Sequence, residues 1–382
     1  MRWVVCTLAV LTALRSQPVE ARSPSAPVSK KPVEPVSQLV ADVTSGRVLR
    51  DRNADTPLPS GPLGQLMLAL LALDRVDAGD LRLDQAVAAV ADVPKPGGVR
   101  PLLVGGEQAP LEEWLRALIV TGAPDAAVAV AGTLAPTVEA VVAMMNERAR
   151  SLGMIGTEYG SLLGTSHSAR QPIDVTTARD TARLVTELAR HWQVLEWAAL
   201  SGFPFRDGAV LLRNHNQLLG ALAGANGLAV ADVKPGGFYA VATARRGALQ
   251  LVAVTLGAAD SATRYAATAE WLEWGFATFE RIEIVRAGEP LLVPVRLHSG
   301  VERQLIPVAA ASCSLLRRRD EERHFEVGFQ MPDVVDAPVA RDQRIGEIVV
   351  RENEQVLAVV LAVSPADFAA ADGVVSAVTA QP

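Results

Sequence analysis

The chain has 382 residues, of which 49% are hydrophobic and 4% aromatic. This length and composition exclude a disordered or fibrous protein and predict two globular domains, each able to bury a core. The formal net charge of −6 is spread along the sequence without a basic face, so nucleic acid is not a predicted partner.

The N-terminus has the pattern of an export signal. Arg2 precedes an apolar run over residues 3–14, and the small residue Ala21 suits a cleavage site. We therefore predict a signal peptide over residues 1–21 and export to the periplasm or the extracellular cell envelope. The alternative is an uncleaved membrane anchor, although the run is too short to span a bilayer unaided. Residues 22–37, rich in Pro and Ser, read as an extended linker.

The folded chain begins with strands and continues with helices. Residues 37–55 alternate apolar and polar around Thr44-Ser45-Gly46, which predicts a β-hairpin. Residues 62–76 are apolar almost all round and predict a buried helix, with Ser60 as its cap and Pro62 in its first turn. Further helices are predicted at APLEEWLRALIV, DAAVAVAGTLA, TVEAVVAMMNERARSLGM and TTARDTARLVTELARHW.

Strand patterns return at GLAVADVK, FYAVATARRG and ALQLVAVTLGA, and SATRYAATAEWLEWGFATF then predicts one more helix. This order of strands and helices indicates an α+β domain. After Glu280 the pattern changes to short strands broken by Gly and Pro, which predicts a small β-sandwich or barrel over residues 281–382. The C-terminal stretch SPADFAAADGVVSAVTAQP has no Lys or Arg, so no stable membrane anchor is predicted once the signal is cleaved.

The order of several short motifs resembles a known family. VADVTSGRVLRDRNAD, LMLALLALD, DAAVAVAG, MNERARSLGM, TTARDTARL, RNHNQLL and VKPGG follow one another as in the low-molecular-mass D-alanyl-D-alanine carboxypeptidases, the penicillin-binding serine peptidases of family S11. The resemblance implies an α+β fold. A β-lactamase or DD-peptidase-like domain, a mainly antiparallel sheet with a helical subdomain, would occupy residues 38–280, and a small all-β sandwich-like domain would occupy residues 281–382.

Catalysis in that family uses a serine followed three residues later by a lysine, a Ser-x-Asn element and a Lys-Thr-Gly strand. Positions i and i+3 share a helix face, so the lysine can activate the serine hydroxyl. Aligning the family's Lys-Leu-Met onto Gln65-Leu66-Met67 places Pro62 at the serine and Gln65 at the lysine. A glutamine amide has no basic site near neutral pH, and proline lacks the backbone N–H that normally serves the oxyanion hole.

The other two elements also depart from the family pattern. VTGAPDAAVAVAG places Thr121 and Gly122 at the Ser-Gly part and Ala123 or Pro124 at the asparagine, with both registers open. A threonine near a helix start is typically a cap. In VKPGG, Lys234 and Gly236 match, whereas Pro235 replaces the threonine whose hydroxyl would hold the substrate carboxylate and cannot donate a ladder hydrogen bond from an edge strand.

Ser60 is the alternative nucleophile, but the residue three positions later is Leu63. Its base would have to be Lys234, because the other lysines, Lys30, Lys31 and Lys95, lie outside the matching motifs. A capping or turn role is therefore the favoured interpretation of Ser60.

The remaining candidate residues are interpreted as structural rather than catalytic or metal-binding. His215, between Asn214 and Asn216, reads as part of a polar loop at the cleft rim, and His167 reads as a loop residue. The histidines are dispersed, so no metal site is predicted, and no phosphate loop or other cofactor motif is present. Cys313 is alone in the chain after the signal and is interpreted as a buried apolar residue.

These residues favour an exported, catalytically inactive relative of the carboxypeptidases that acts in peptidoglycan-related binding or scaffolding. The resemblance implies peptidoglycan stem peptides or envelope proteins as partners. The alternative is an active serine-type D-Ala-D-Ala carboxypeptidase or acyl hydrolase that uses Ser60 or Thr121 with Lys234. In a third hypothesis the β-rich domain carries the binding function and the first domain is its folded platform.

Overall fold

A computed structural model of the chain describes residues 34–89, 106–164, 174–206 and 208–371. The predicted signal peptide, most of the predicted linker, His167 and the end of the C-terminal stretch lie outside these ranges. The first strand begins at Ser37, inside the stretch predicted as linker.

The central element of the first domain is an antiparallel sheet of five strands. They are β1 (Ser37–Asp42), β2 (Val48–Arg52), β9 (Ala225–Val233), β10 (Gly237–Arg246) and β11 (Leu249–Ala258). The spatial order is β2-β1-β11-β10-β9, which makes β9 an edge strand. Side chains along a strand point to opposite faces of the sheet, and helices cover both faces here, so β1 is buried along its whole length. The hairpin predicted around Thr44-Ser45-Gly46 is confirmed as β1 and β2.

Helices complete the described part of the first domain, and four of the seven contact this sheet. They are α1 (Gln65–Asp77), α2 (Leu111–Thr121), α3 (Pro124–Leu134), α4 (Val138–Ser151), α5 (Ala178–Leu188), α6 (Trp192–Ala198) and α7 (Ser261–Thr278). The predicted helices are confirmed, except that TTARDTARLVTELARHW ends at Leu188 and the short α6 starts at its final residue. Thr137, Thr177 and Asp260 cap their helices by accepting a backbone N–H.

Short strands complete the first domain. They are β3 (Leu58–Pro59) paired with β6 (Val175–Thr176), β4 (Ala86–Ala88) paired with β5 (Gln108–Pro110), and β7 (Gly202–Phe205) paired with β8 (Val210–Arg213). The sequence patterns did not predict the β7–β8 hairpin, whose strands are only four residues long.

The described part of the second domain, up to residue 371, consists of strands and their connections. They are β12 (Phe279–Val285), β13 (Val295–His298), β14 (Gln304–Leu305), β15 (Val308–Ala309), β16 (Cys313–Arg318), β17 (Glu326–Gln330), β18 (Val334–Asp336), β19 (Arg344–Glu352) and β20 (Gln355–Val363). Sheets of order β14-β13-β18 and β15-β20-β19-β17 and the pair β12-β16 form it. The predicted α+β domain followed by an all-β domain is thereby confirmed.

A buried ion pair joins the two domains. Arg281 on β12 donates to Asp42 at the end of β1 over 2.6 Å, and the Asp42 side chain is fully buried. The same carboxylate accepts the backbone N–H of Ser45 and so holds the β1–β2 turn.

Within the described ranges, no single helix is long and apolar enough to cross a membrane; α3 and α4 reach that length and composition only together, across a bend of 86°.

Candidate active-site cleft

The structure brings three of the predicted degenerate positions, Pro62, Gln65 and Thr121, around one small cavity, which we call the cleft. It lies between the turn before α1, the end of α2 and the edge strand β9. Its lining consists of Pro62, Leu63, Gln65, Leu66, residues 118–122, Asn214, His215 and residues 228–230. The cavity volume is about 50 Å³. Sites that enclose small ligands usually measure about 300–1,000 Å³, so the cleft in this form holds a few water molecules rather than a peptide.

The approach to α1 is a 3₁₀ turn over Gly61–Gly64. Gly61 has a φ of +52°, and a Cβ there would lie 2.5 Å from a methyl carbon of Val233 on β9. Only glycine therefore permits the turn to approach the edge strand this closely. Pro62 sits inside the turn, where its missing N–H leaves no unsatisfied backbone donor.

Ser60 does not cap the helix, which corrects the first half of its predicted capping or turn role; it does open the turn, because its carbonyl accepts Leu63 N–H over 3.2 Å. The Ser60 side chain makes no capping hydrogen bond; its hydroxyl donates over 3.4 Å to the carbonyl of Gly61. The residue itself has helical backbone angles, whereas a capping residue needs extended ones. Ser60 is 1% exposed and is not among the residues that line the cleft.

Gln65 is the polar group aimed into the cleft. It is 4% exposed, and its Oε1 has no hydrogen-bond partner among the described residues. Its carbonyl oxygen lies 3.7 Å from the position that a Cβ on Gly122 would occupy. The amide can accept and donate hydrogen bonds but cannot take the proton of a hydroxyl nucleophile at neutral pH.

Thr121 lines the cleft as the last residue of α2, two positions before the cap of α3. Its hydroxyl donates over 2.7 Å to the carbonyl of Ala117 in the preceding turn, which corrects the capping interpretation. Gly122 then ends α2 in the left-handed conformation, with a φ of +64°. Ala123 occupies the cap position of α3, and Pro124 is the first residue of that helix, outside the cleft.

The lining of the cleft does not include Lys234, although its neighbour Val233 contacts Gly61 in the turn before α1. β9 meets the cleft through Leu228, Ala229 and Val230. Lys234 follows four residues after Val230, about 13 Å farther along an extended chain. It lies with Pro235 and Gly236 in the connection to β10, where Val233 pairs with Gly237.

Lys234 and Pro235 are exposed in that connection. The missing N–H of Pro235 therefore removes no bond from the strand ladder that borders the cleft. At the positions of β9 that do border it, the side chains of Leu228, Ala229 and Val230 offer neither a cation nor a hydroxyl. Among the described residues, the cleft is thus lined without a lysine.

Asn214 and Asn216 shape the loop at the rim. Asn214 donates over 3.0 Å to the carbonyl of Ala198, and Asn216 donates over 3.1 Å to the carbonyl of Gly227 on β9. His215 lines the cleft and is exposed, while its backbone carbonyl accepts the Tyr265 hydroxyl over 2.9 Å. The loop is fixed through its amides and its backbone, which leaves the imidazole at the mouth of the cleft.

Two further residues with titratable side chains, Tyr159 and Cys313, do not line the cleft. Tyr159 packs against Gly64, and burial, with the nearby charges of Asp180 and Asp174, raises the pKa of its hydroxyl far above the usual range. Cys313 is buried in the second domain, as predicted, and burial raises the pKa of its thiol. The described ranges contain no group of three or more His, Cys, Asp or Glu placed to hold a metal ion.

The fold and the position of the cleft define a penicillin-binding D-alanyl-D-alanine carboxypeptidase architecture. Residues 22–260 match the D-alanyl-D-alanine carboxypeptidase family S11, and residues 279–370 match the C-terminal domain of penicillin-binding protein 5. The chain therefore belongs to the S11 D-alanyl-D-alanine carboxypeptidase family.

Curated relatives and solved structures agree with this assignment. D-alanyl-D-alanine carboxypeptidase DacF of Bacillus subtilis is 22% identical over 85% of this chain and 83% of its own length. DacC of Escherichia coli is 25% identical over 81% of this chain and 78% of its own. The fold is similar to penicillin-binding protein 5 of Haemophilus influenzae, with a TM-score of 0.64, 20% identity, and coverage of 90% of this chain and 99% of that one.

Proposed function

We propose that this protein is a catalytically inactive member of its family that is exported to the cell envelope and acts there in peptidoglycan-related binding or scaffolding. Peptidoglycan stem peptides or envelope proteins are the partners proposed from the family. Family membership supports the link to peptidoglycan, and the apolar run over residues 3–14 supports export.

The composition of the cleft is the observation that supports inactivity. Acyl transfer in this fold needs a nucleophile, a base and an oxyanion donor arranged around one point. Here Pro62 and Gln65 stand at the start of α1, and Leu228, Ala229 and Val230 face them from β9. The Thr121 hydroxyl donates to its own helix backbone, and no lysine of the described residues lines the cleft.

Covalent labelling tests this proposal. The purified protein is incubated with a fluorescent penicillin and examined by intact-mass analysis and peptide mapping, beside an active family member as a positive control. We expect no covalent adduct and no release of D-alanine from a peptide ending in D-Ala-D-Ala.

Three variants separate the alternatives. Ser60→Ala, Thr121→Val and Lys234→Ala each remove one group of the active-enzyme hypothesis. An adduct in the unmodified protein that disappears in Ser60→Ala or Thr121→Val would establish an acyl-transferring enzyme and contradict the proposal. A β-lactam adduct unaffected by all three would also contradict it and would place the nucleophile elsewhere.

A further inference from the structure

A second and larger cavity opens beside α6, and we call it the Trp192 groove. Its volume is about 630 Å³, within the range of about 300–1,000 Å³ typical of ligand sites. It is formed by the β1–β2 turn, the end of α5, α6 and the strand ends at Asn226, Arg245 and Gln250. None of the residues that line the cleft lines this groove.

Trp192 gives the groove an exposed aromatic wall. Its side chain is 65% exposed, which is unusual for a residue that is highly buried on average. The preceding residue, His191, is buried and lies 3.5 Å from Asp74 and 3.3 Å from Asp77, the carboxylates at the end of α1. These contacts fix the start of α6, so Trp192 is presented on a rigid base rather than on a free loop.

Arg245 is the cation of the groove that has no carboxylate partner. Its Nε donates over 3.1 Å to the carbonyl of Gly247, and the described residues give it no ion pair. Arg190, at the other side, pairs with Glu187 over 3.0 Å and is itself largely exposed. The guanidinium of Arg245 therefore has donors free for an anion, and a carboxylate is the group that matches its fork geometry.

The floor of the groove carries two amides in fixed orientations. Asn226 donates to the Gln250 carbonyl oxygen over 3.3 Å, and Gln250 donates back over 3.0 Å. The Gln250 backbone carbonyl accepts Val43 N–H over 2.9 Å, which ties the pair to the β1–β2 turn. Each amide keeps a second N–H and a free lone pair, and the exposed carboxylate of Glu196 adds an acceptor.

We propose that the Trp192 groove binds a sugar ring that bears a carboxylate. The C–H groups on one face of a pyranose carry partial positive charge and pack on the negative face of an indole ring. The two amides and Glu196 suit hydroxyl and acetamido groups, and Arg245 suits the carboxylate. The inference does not depend on whether the cleft is catalytic, because the two cavities share no lining residue.

Three sugars test the proposal, and two of them, N-acetylmuramic acid and N-acetylglucosamine, differ only in the acid group. N-acetylmuramic acid is N-acetylglucosamine with an added lactyl carboxylate, and glucuronic acid places the carboxylate directly on the ring. We expect weak binding of N-acetylmuramic acid to the full chain, with a Kd of about 1 mM. Titration calorimetry and the quenching of tryptophan fluorescence measure it. N-acetylglucosamine should bind at least about tenfold more weakly, and added salt should reduce the difference. Comparable binding of glucuronic acid would assign the site to acidic sugars in general.

Variants locate the binding. Trp192→Ala and Arg245→Gln should each weaken binding of N-acetylmuramic acid at least about tenfold, whereas Trp192→Phe retains an aromatic face and should weaken it less. Arg286→Gln, on an exposed arginine of the second domain, is the matched control and should change nothing. The midpoint of thermal unfolding of each variant checks that it is folded.

Three results would overturn the proposal: equal binding of N-acetylglucosamine, unchanged binding in folded Trp192→Ala, or tighter binding of an acidic tripeptide than of any of the sugars. The last result would assign the groove to peptides. Because penicillin labelling reports on the cleft alone, a labelled protein with an intact sugar site would separate failure of the proposed inactivity from failure of this inference.

Discussion

The cleft and the Trp192 groove are both bordered by strand β9, yet they differ in almost every physical property. The cleft holds about 50 Å³ behind the buried residues Leu66, Leu118 and Leu228, with one unpartnered amide oxygen on Gln65. The groove holds about 630 Å³ and exposes Trp192 and Arg245. Two cavities on one fold thus differ in size, exposure and lining, and each has to be assigned from its own residues rather than from the fold.

The largest expected effect is on the free energy of unfolding, at buried Asp42 beside the β1–β2 turn that borders the groove. Asp42→Asn removes the charge that balances buried Arg281 and weakens the contact that holds the β1–β2 turn. Breaking one side of a buried pair typically costs about 3–5 kcal/mol, because the other charge stays buried without a partner. Urea unfolding should show a loss of that size.

Asp320→Asn is the control for Asp42→Asn, because its ion pair with Arg318 is exposed. It should change the free energy of unfolding by less than about 1 kcal/mol. Equal effects of the two substitutions would show that the Asp42–Arg281 pair is not buried as described.

The next effect tests whether the cleft is a packed core. Leu228 is 2% exposed, so Leu228→Ala should lower the free energy of unfolding by about 2–5 kcal/mol. Leu211→Ala makes the same chemical change at a residue that is 58% exposed and should stay within about 0.5 kcal/mol. Similar small losses for both leucines, measured by urea unfolding, would indicate that the cleft is open in solution and could admit a ligand.

The smallest expected effect is a pH dependence of the free energy of unfolding, which arises from Asp74 where it contacts His191 at the start of α6. Burial raises the pKa of Asp74, but the hydrogen bond from His191 and the charge of Arg148 outweigh it, so the pKa lies below its ordinary value of 3.8. Such a carboxyl contributes stability that is present above its unfolded pKa and is lost as the pH falls through its folded pKa. Asp74→Asn should therefore be less stable than the unmodified protein at neutral pH, with a difference that shrinks below about pH 4.

Unfolding by urea across this pH range measures the Asp74 effect. Glu302→Gln, at an exposed carboxylate of the second domain, should follow the unmodified protein at every pH. A stability difference between Asp74→Asn and the unmodified protein that stays constant down to acid pH would rule out a lowered pKa for Asp74.

Most of the fold could be predicted from the sequence, because periodicity and motif order are local properties of the chain. Apolar runs of helical period predicted α1 to α5 and α7, alternation predicted the strands of the sheet, and the order of short motifs identified the family. The alignment of Pro62 and Gln65 with the serine and lysine of the family also needs the sequence alone, since it depends on Leu66-Met67 and on a spacing of three residues.

Tertiary structure decided the features that depend on register and on distant segments. The sequence match at Lys234 gives a motif, whereas the structure shows that residues 228–230 of β9 line the cleft and that Lys234 lies in the connection to β10. Ser60 and Thr121 have capping residue types, yet backbone angles and chain position direct their hydroxyls elsewhere. The Trp192 groove joins segments more than 200 residues apart along the chain, from Val43 to Gln250. Local periodicity specifies elements, whereas a cavity depends on how those elements pack, and that information is spread over the whole chain.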